Sequence, residues 1–234
     1  MSEFAPRPET GRVFANSRRV YLGDVGSDGV ARPDALARML QDVAGDDWDD
    51  AAGPDEDVWV VRRTSVALTS DGRWPRLGES VELATWCAGS GAAWAERRTD
   101  VSVDAQLLVR ARAIWVPVDR TTGLPRRLRD SFFAIYGEAA RRRVSSRVEL
   151  SEPPSHALRR PWALRRADLD VVGHVNNAAV WEALSEVAPS GVRAASVVHH
   201  ASLESDDAVT LATAPGRLWL LVDGAVRVAG DFEV

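Results

Sequence analysis

The most informative stretch of this chain is Asp168-Leu169-Asp170-Val171-Val172-Gly173-His174-Val175-Asn176-Asn177. It places two carboxylates, an imidazole and two amides directly before an apolar helical pattern over residues 180–188. The N-terminus of a helix offers free backbone N–H groups and a partial positive charge, and both favour negative charge that develops on an oxygen. The stretch is therefore a candidate catalytic site. An ordinary helix start, capped by Asn176 or Asn177, is the structural alternative.

Composition excludes several kinds of site. The single cysteine, Cys87, allows no internal disulfide and no cysteine-based metal site, and we interpret it as a core residue. All 29 basic residues are arginines, which excludes a Walker-type lysine and a lysine Schiff base. No two histidines are separated by the i, i+4 spacing that places two metal ligands on one face of a helix. The four histidines are His156, His174, His199 and His200. We therefore predict neither a metal nor a cofactor.

The charge and hydropathy of the chain indicate which partners and which cellular compartment to expect. The formal net charge of −5 argues against nucleic-acid binding. No apolar run approaches the length of about 20 residues that a membrane span needs. The first ten residues are polar and contain Pro6 and Pro8, without the apolar core of a signal peptide. These features predict a cytoplasmic protein without a membrane span.

Two halves of the chain repeat one another. Residues 78–85 are similar to residues 206–213. Residues 103–107 match residues 222–226, and each of these two segments is typical of a β-hairpin. Apolar residues at positions i, i+4, i+7 and i+8 predict one buried helical face in each half. The residues of these two faces are Leu36, Leu40, Val43 and Ala44 in the first half and Val180, Leu184, Val187 and Ala188 in the second. Such a repeat indicates two copies of one supersecondary unit.

Each half has the order strand, loop, helix and then several strands, which predicts an α+β fold with a helix against a largely antiparallel sheet. In the first half we expect strands near residues 12–22, 58–69, 80–88, 92–103 and 106–118. The first helix should begin at Pro33, where the missing N–H costs nothing, and the second near Asn177. The predicted segments are residues 12–119, a linker at 120–161 with a short helix at 131–143, and residues 162–234.

The linker region is strongly basic. From Arg126 to Arg166, eleven arginines and four acidic residues give a net charge of +7, which leaves −12 for the rest of the chain. This asymmetry predicts a docking surface for an anionic partner, with a solvated linker rich in salt bridges as the alternative. The candidate docking residues are Arg141, Arg142, Arg143, Arg159, Arg160, Arg165 and Arg166.

The sequence resembles the acyl-acyl-carrier-protein thioesterases of plants and bacteria between about residues 18 and 209. The likeness is carried by residues 165–177, where that family has Asp-Leu-Asp-x-Asn-(Gln/Gly)-His-Val-Asn-Asn. In the first half it is carried by residues 57–63, 74–79 and 110–119. The resemblance implies a double hotdog, which consists of two tandem helix-wrapped antiparallel sheets. It also implies hydrolysis of acyl-acyl-carrier-protein thioesters, with release of free fatty acid in fatty acid biosynthesis.

The resemblance assigns roles to individual residues. Asp170 matches the family's catalytic aspartate and His174 its catalytic histidine, whereas Val172 stands where the family has a catalytic asparagine. Glu204 is the candidate for an acidic or cysteine residue that the family places on the strand after the helix. The first copy has Val30 in the place of His174, so it lacks the chemistry and serves as the acyl-binding half.

The mechanism expected from these residues needs an activated water and an oxyanion site. Asp170 is expected to act as the base if burial raises its pKa, and His174 to orient the water or the thioester or to share the proton transfer. Backbone N–H groups from Val175 to Asn177 could hold the carbonyl oxygen, and Asn176 and Asn177 belong to this oxyanion and helix-cap region. Neighbouring strand residues point to opposite faces, so at most one of His199 and His200 faces the site.

Three other functions are alternatives to hydrolysis of acyl-carrier-protein thioesters. A hotdog hydratase is disfavoured, because that family has four residues and a proline between its Asp and His, whereas three residues and no proline separate Asp170 from His174. A non-catalytic acyl-binding protein is favoured by Val172, and an acyl-CoA thioesterase is compatible with the basic linker, because CoA is also anionic. The acyl chain length and association into a homodimer stay open.

Overall fold

The computed structural model describes residues 7–9, 11–53, 58–147, 151–171 and 173–234. Within these ranges the chain forms one antiparallel sheet of ten strands together with three helices. The strands are β1 (Phe14–Arg19), β2 (Val58–Leu68), β3 (Ser80–Ser90), β4 (Ala95–Val103), β5 (Gln106–Val118), β6 (Leu158–Trp162), β7 (Ala194–His199), β8 (Val209–Ala214), β9 (Arg217–Val222) and β10 (Ala225–Glu233). The helices are α1 (Pro33–Asp50), α2 (Asp130–Arg141) and α3 (Trp181–Val187).

The two halves of the sheet are related by a pseudo-twofold axis. The strand order is β1-β3-β4-β5-β2-β7-β10-β9-β8-β6, so the second half repeats the first in reverse. The axis passes between β2 and β7, where Ser65 pairs with Ser196 and their hydroxyl oxygens lie 3.0 Å apart. On the helical side, Arg38 of α1 forms a salt bridge of 2.6 Å with Glu182 of α3. The α+β double hotdog and the internal duplication predicted from the sequence are therefore confirmed.

The β-hairpins repeat in the same detail as the strand order. Asp104 and Ala105 join β4 to β5 with φ angles of 49° and 62°. Asp223 and Gly224 join β9 to β10 with φ angles of 51° and 81°. Two consecutive positive φ angles define the two-residue turn whose twist matches that of paired strands. The hairpins predicted at residues 103–107 and 222–226 are thus present.

One apolar core runs through both halves. Helix α1 begins at Pro33, as predicted, and buries Leu36, Leu40 and Val43 against the inner face of the sheet. In the second half, Trp181 and Leu184 of α3 belong to the same core. Because burial of one such side chain contributes about 1.5–3 kcal/mol, this shared core couples the halves strongly. Within the described ranges, no helix combines the length and hydropathy that a membrane crossing requires.

Helix α3 begins later than the sequence predicted, at Trp181 rather than near Asn177. The reason is that the intervening residues form i→i+3 hydrogen bonds, from Ala179 N–H to the Asn176 carbonyl at 2.9 Å and from Trp181 N–H to the Ala178 carbonyl at 3.1 Å. This bonding is that of a 3₁₀ turn. The helix ends before Pro189, because the residue preceding a proline disfavours helical backbone angles.

The region between the halves contains helix α2, close to the predicted residues 131–143. Phe132 and Tyr136 of α2 pack on Cys87 and Ala95 and close the end of the first half. Cys87 is accordingly a core residue, and burial raises the pKa of its thiol to about 11. The second-half sheet begins with β6, because residues 158–162 pair with β8, so the last part of the predicted linker is a strand.

Candidate active site

The stretch that leads into α3 folds as a tight hairpin loop, residues 168–176, here named the second-half loop. Three backbone hydrogen bonds close it: Asp170 N–H to His174 O at 2.8 Å, Gly173 N–H to Asp170 O at 3.1 Å and Asn176 N–H to Asp168 O at 2.8 Å. Residues 24–32 form its counterpart, the first-half loop. Its corresponding bonds are Gly26 N–H to Val30 O at 2.9 Å, Gly29 N–H to Gly26 O at 3.0 Å and Arg32 N–H to Asp24 O at 2.9 Å.

The two loops share a backbone but differ in side-chain chemistry. An isolated bridge joins each loop to the strand connection beside it, His174 to Glu204 in the second half and Val30 to Arg76 in the first. The structurally equivalent pairs are Asp170 with Gly26, His174 with Val30, and Glu204 with Arg76. The first-half loop closes with Gly26, Val30 and Arg76 at these three positions, and there Asp28 Oδ1 accepts the Val30 N–H at 3.0 Å. Asp170, His174 and Glu204 are therefore not needed at their positions to form the loop. Their presence in one copy alone points to chemistry.

The three polar residues of the second-half loop region lie close together at the surface. The Nε2 atom of His174 is 3.6 Å from Oε1 of Glu204, and the two side chains are 49% and 45% exposed. Glu204 Oε1 also accepts a hydrogen bond of 2.7 Å from the Ser202 hydroxyl. Asp170 Oδ1 accepts the backbone N–H of His174 at 3.1 Å. The structure thus brings the three sequence-predicted residues together, whereas Val172 lies outside the described residues.

The two asparagines at the end of the loop have different surroundings. Asn176 caps the following turn, because its Oδ1 accepts the Ala178 N–H at 2.8 Å. The N–H groups of Val175 and Asn176 are already bonded to the carbonyls of Leu203 and Asp168. Of the three backbone donors expected for an oxyanion site, only the Asn177 N–H makes no hydrogen bond with the described residues. The expected oxyanion site is therefore reduced to that one N–H group.

Three separate spaces are lined in part by Gln41 of α1, a residue that the sequence did not single out. A surface groove of about 350 Å³ runs between α1 and the second-half loop, lined there by Leu169 and Asn176. A small void of about 20 Å³ is lined by Asn177 and core residues. A cavity of about 500 Å³, the first-half cavity, lies between α1, α2 and the sheet. Gln41 lines all three, and its side chain makes no hydrogen bond with the described residues.

His199 has a different character from His174. It lies on the inner face of β7, 7% exposed, whereas His200 is exposed, so one of this pair faces inward as predicted. Burial, assisted by the charge of Arg62, lowers the pKa of His199 to about 4. The imidazole of His199 is therefore neutral near pH 7. Its buried surroundings disfavour the protonated form, through which an acid–base catalyst must pass. Among the four histidines, His174 is the better candidate for proton transfer.

A chain of ion pairs holds the second-half loop against α1. Asp168 accepts three hydrogen bonds from Arg165, from the backbone N–H at 2.8 Å, from Nε at 2.9 Å and from Nη2 at 2.6 Å. Arg165 also binds Glu182, which in turn binds Arg38, and Arg38 binds the buried Asp34. Burial raises the pKa of Asp34, but hydrogen bonds from its arginine partners outweigh burial and hold that pKa below its ordinary value. These pairs fix the position of the loop relative to Gln41.

The structure separates the candidate docking arginines into two groups. Arg141, Arg142 and Arg143 lie at the end of α2, where Arg142 O accepts the Ser90 N–H of β3 at 2.8 Å. Arg159 and Arg160 lie on the edge strand β6, at the other end of the strand order, and residues 165–166 continue from there to the second-half loop. The basic region that is continuous in the sequence is therefore not one surface.

The fold and the duplicated loop define a double hotdog protein, and comparison with known proteins identifies its family. The N-terminal domain of the acyl-ACP thioesterases matches residues 11–136 and their C-terminal domain matches residues 151–213. The chain therefore belongs to the acyl-ACP thioesterase family, whose members are thioester hydrolases.

The relatives are distant. The chain is 27% identical over 183 residues to the uncharacterized protein Rv2001 of Mycobacterium tuberculosis, covering 77% of this chain and 72% of that protein. It is 25% identical over 190 residues to the chloroplastic palmitoyl-acyl carrier protein thioesterase of Gossypium hirsutum, covering 72% of this chain but 45% of that protein.

Solved structures show the same fold. An acyl-ACP thioesterase from Bacteroides thetaiotaomicron superposes with a TM-score of 0.79 at 17% identity, covering 94% of this chain and 98% of that one. The 12:0-ACP thioesterase from Umbellularia californica superposes with a TM-score of 0.77 at 20% identity, covering 94% and 96%. At these identities the likeness concerns the fold alone.

Proposed function

We propose that this protein hydrolyses acyl thioesters carried by an acyl carrier protein and releases the free acid. The observation that carries this proposal is the duplicated loop: one backbone occurs twice, and Asp170, His174 and Glu204 occur in only one copy. Membership of the acyl-ACP thioesterase family supports the reaction type. Release of free thiol from an acyl-acyl-carrier-protein substrate, measured beside the same acyl group on CoA, tests the reaction and the choice of carrier together.

In the proposed reaction, a water oxygen bonds to the acyl carbon, the carbon–sulfur bond breaks, and the departing thiolate receives a proton. His174 takes the proton of the water, because a carboxylate beside an imidazole holds the ring in place and stabilises its charged form. Glu204 supplies that carboxylate at 3.6 Å. Asp170 braces the loop through the His174 N–H and offers a second base beside the water. The surface groove receives the thioester end, and the acyl group passes Gln41 into the first-half cavity.

Gln41 is proposed to donate a hydrogen bond to the thioester carbonyl oxygen, together with the Asn177 N–H. Gln41→Met keeps the length of the side chain and removes the donor. Loss of one oxyanion donor costs about 10²–10³ in kcat, so we expect a decrease on this scale with little change in KM. Steady-state kinetics on one acyl substrate measures it.

The neighbouring residue provides the control for Gln41. Asp42 lines the same groove and cavity, and Asp42→Asn should leave kcat within a few-fold of the parent. An equal effect of the two substitutions, or a Gln41→Met variant that changes KM alone, would remove Gln41 from the oxyanion site.

The arginines nearest the second-half loop are proposed to dock the acidic carrier protein. Arg159, Arg160 and Arg166 are exposed and precede the loop in the chain. Changing these three arginines to Glu should raise KM for a carrier-protein substrate at least tenfold and leave kcat nearly intact. The salt dependence of kcat/KM should become weaker. The reason is that charges at the rim of an interface act mainly on the rate of encounter.

The α2 arginines give a control of equal charge. Arg141, Arg142 and Arg143 changed to Glu alter the net charge by the same amount at the other end of the sheet. Their effect on KM should be much smaller. If both triple variants raise KM equally, the effect comes from net charge rather than from a docking surface beside the loop. If neither does, both groups are solvated arginines, and an uncharged or CoA-linked substrate becomes the better candidate.

A further inference from the structure

The first-half cavity has an unusual lining for a site that holds an aliphatic chain. Its volume of about 500 Å³ falls in the range of small-molecule sites. No leucine, isoleucine, valine or methionine is among the described residues that line it. Its large apolar side chains are all aromatic: Trp48, Trp59, Trp115, Phe132 and Tyr136. The rest of the lining is small or polar.

Four of these rings form a continuous wall. Trp48 and Trp59 meet edge to face, with centroids 5.4 Å apart and an angle of 70° between the planes. Trp59 is 5.6 Å from Phe132, which is 4.9 Å from Tyr136. Rings at such separations offer both faces and edges to a third ring, and each added aromatic contact is worth about 2- to 12-fold in affinity beyond its buried area. A saturated chain gains the buried area alone.

The cavity also contains a buried hydrogen-bond donor. Arg97 lines it, and its side chain is 12% exposed. Its guanidinium bonds to Asp47 at 2.6 Å, to the Tyr136 hydroxyl at 2.8 Å and to the Thr85 hydroxyl at 3.2 Å. A guanidinium has five N–H donors, so two are left without a partner among the described residues. A ligand with an oxygen substituent accepts from them, whereas an alkyl chain that displaces water from them leaves them unsatisfied.

The length of the lined wall and the volume of the cavity bear on the size of the acyl group. Trp48 follows Gln41 by seven residues on α1, which corresponds to about 10 Å along the helix axis. An extended chain advances roughly 1.2 Å per bond, so about eight bonds fit between these positions. The volume is about three times that of a cavity of ~150 Å³ that accepts benzene. One or two rings fit in this volume.

We propose that the acyl group is an aromatic one of one or two rings that carries a hydroxyl or keto oxygen, rather than a long saturated chain. The inference rests on the proposed function, because it names the substrate of that same site. The thioester carbonyl lies at Gln41, the ring contacts Trp59 and Phe132, and its oxygen accepts a hydrogen bond from Arg97.

Hydrolysis of a substrate panel tests the substrate class. Benzoyl, 4-hydroxybenzoyl, hydroxynaphthoyl, octanoyl and palmitoyl groups are compared on one carrier thiol. We expect kcat/KM for the hydroxylated aryl thioesters to exceed that for octanoyl at least tenfold and that for palmitoyl at least a hundredfold. Trp59→Leu should lower the ratio of aryl to octanoyl activity about tenfold, whereas Trp94→Leu, outside the cavity, should not change it. Phe132→Leu serves the same purpose if Trp59→Leu does not fold.

Binding without catalysis separates the substrate class from the reaction. Calorimetry with 2-naphthol and with 1-octanol uses neutral probes, and 2-naphthol should bind at least tenfold more tightly in a manner that Trp59→Leu abolishes. If 2-naphthol binds in this way and no thioester is hydrolysed, the proposed function fails and the aromatic site stands. If octanoyl or palmitoyl thioesters are hydrolysed fastest, or the two probes bind equally, the aromatic substrate class is overturned while thioester hydrolysis is retained.

Discussion

Exchanging Asp170 for Gly and His174 for Val should lower the rate of thioester hydrolysis by about 10²–10⁴-fold without unfolding the protein. The magnitude is that of lost acid–base assistance. The folding expectation comes from the molecule itself, because the first-half loop forms the same three backbone hydrogen bonds with Gly26 and Val30 at these positions. Thiol release gives the rate, and thermal unfolding followed by circular dichroism gives the stability.

The control makes the reverse exchange in the first-half loop, where Gly is replaced by Asp and Val by His. Gly26→Asp with Val30→His places the two reactive side chains in the first-half loop, beside Arg76 instead of Glu204. This variant should hydrolyse the substrate at the parental rate. Hydrolysis by the Asp170→Gly, His174→Val variant at that same rate would show that the second-half loop is not the catalytic site, and unfolding of the variant would leave His174→Gln as the substitution to measure.

The repeat was predictable because its signals are local. Apolar spacing on α1 and α3 and the turn residues at 104–105 and 223–224 act within a few residues, so the sequence displays them directly. Asp170 and His174 could be proposed as site residues for the same reason. Glu204 was uncertain by position until the bridge to His174 fixed its register.

The features that escaped prediction depend on residues distant in the chain. Gln41 is one polar residue on an amphipathic helix, and only the fold shows that it lines three separate spaces. The basic residues on either side of the linker are continuous in the sequence, but the sheet carries Arg141 and Arg159 to opposite ends. A local sequence pattern does not indicate which residues the fold brings together or separates.

One feature of α1 did leave a signal in the sequence. Asp47 follows Val43 by four residues and Leu40 by seven, so the helical period places a carboxylate on the apolar stripe. The structure shows it fully buried, with Oδ1 2.7 Å from Arg12 Nε and Oδ2 2.6 Å from Arg97 Nη1. The Tyr136 hydroxyl donates to Oδ2 at 2.8 Å. A polar residue at a core position of a helix is therefore a sequence signal of a buried ion-pair network, which our predictions from the sequence did not use.

Replacing Asp47 by Ala should destabilise the protein by about 3–5 kcal/mol. Removing one partner of a buried ion pair leaves the other charge uncompensated, here the guanidinium of Arg97, and this cost exceeds what an exposed pair contributes. For a chain of this size, such a loss lowers Tm by about 10 °C or more. Chemical and thermal unfolding measure it, and neither requires a substrate.

Two further variants show whether the cost comes from the stranded charge. Asp50 binds the same Arg12 but is 58% exposed, so Asp50→Ala should cost no more than about 1 kcal/mol. Asp47→Leu combined with Arg97→Met replaces both charges by apolar groups, and this double variant should be more stable than Asp47→Leu alone, because no buried charge is then left unpaired. If Asp47→Ala unfolds like Asp50→Ala, the network contributes little to stability. If the double variant is less stable than either single one, the two side chains stabilise the fold separately rather than as a pair.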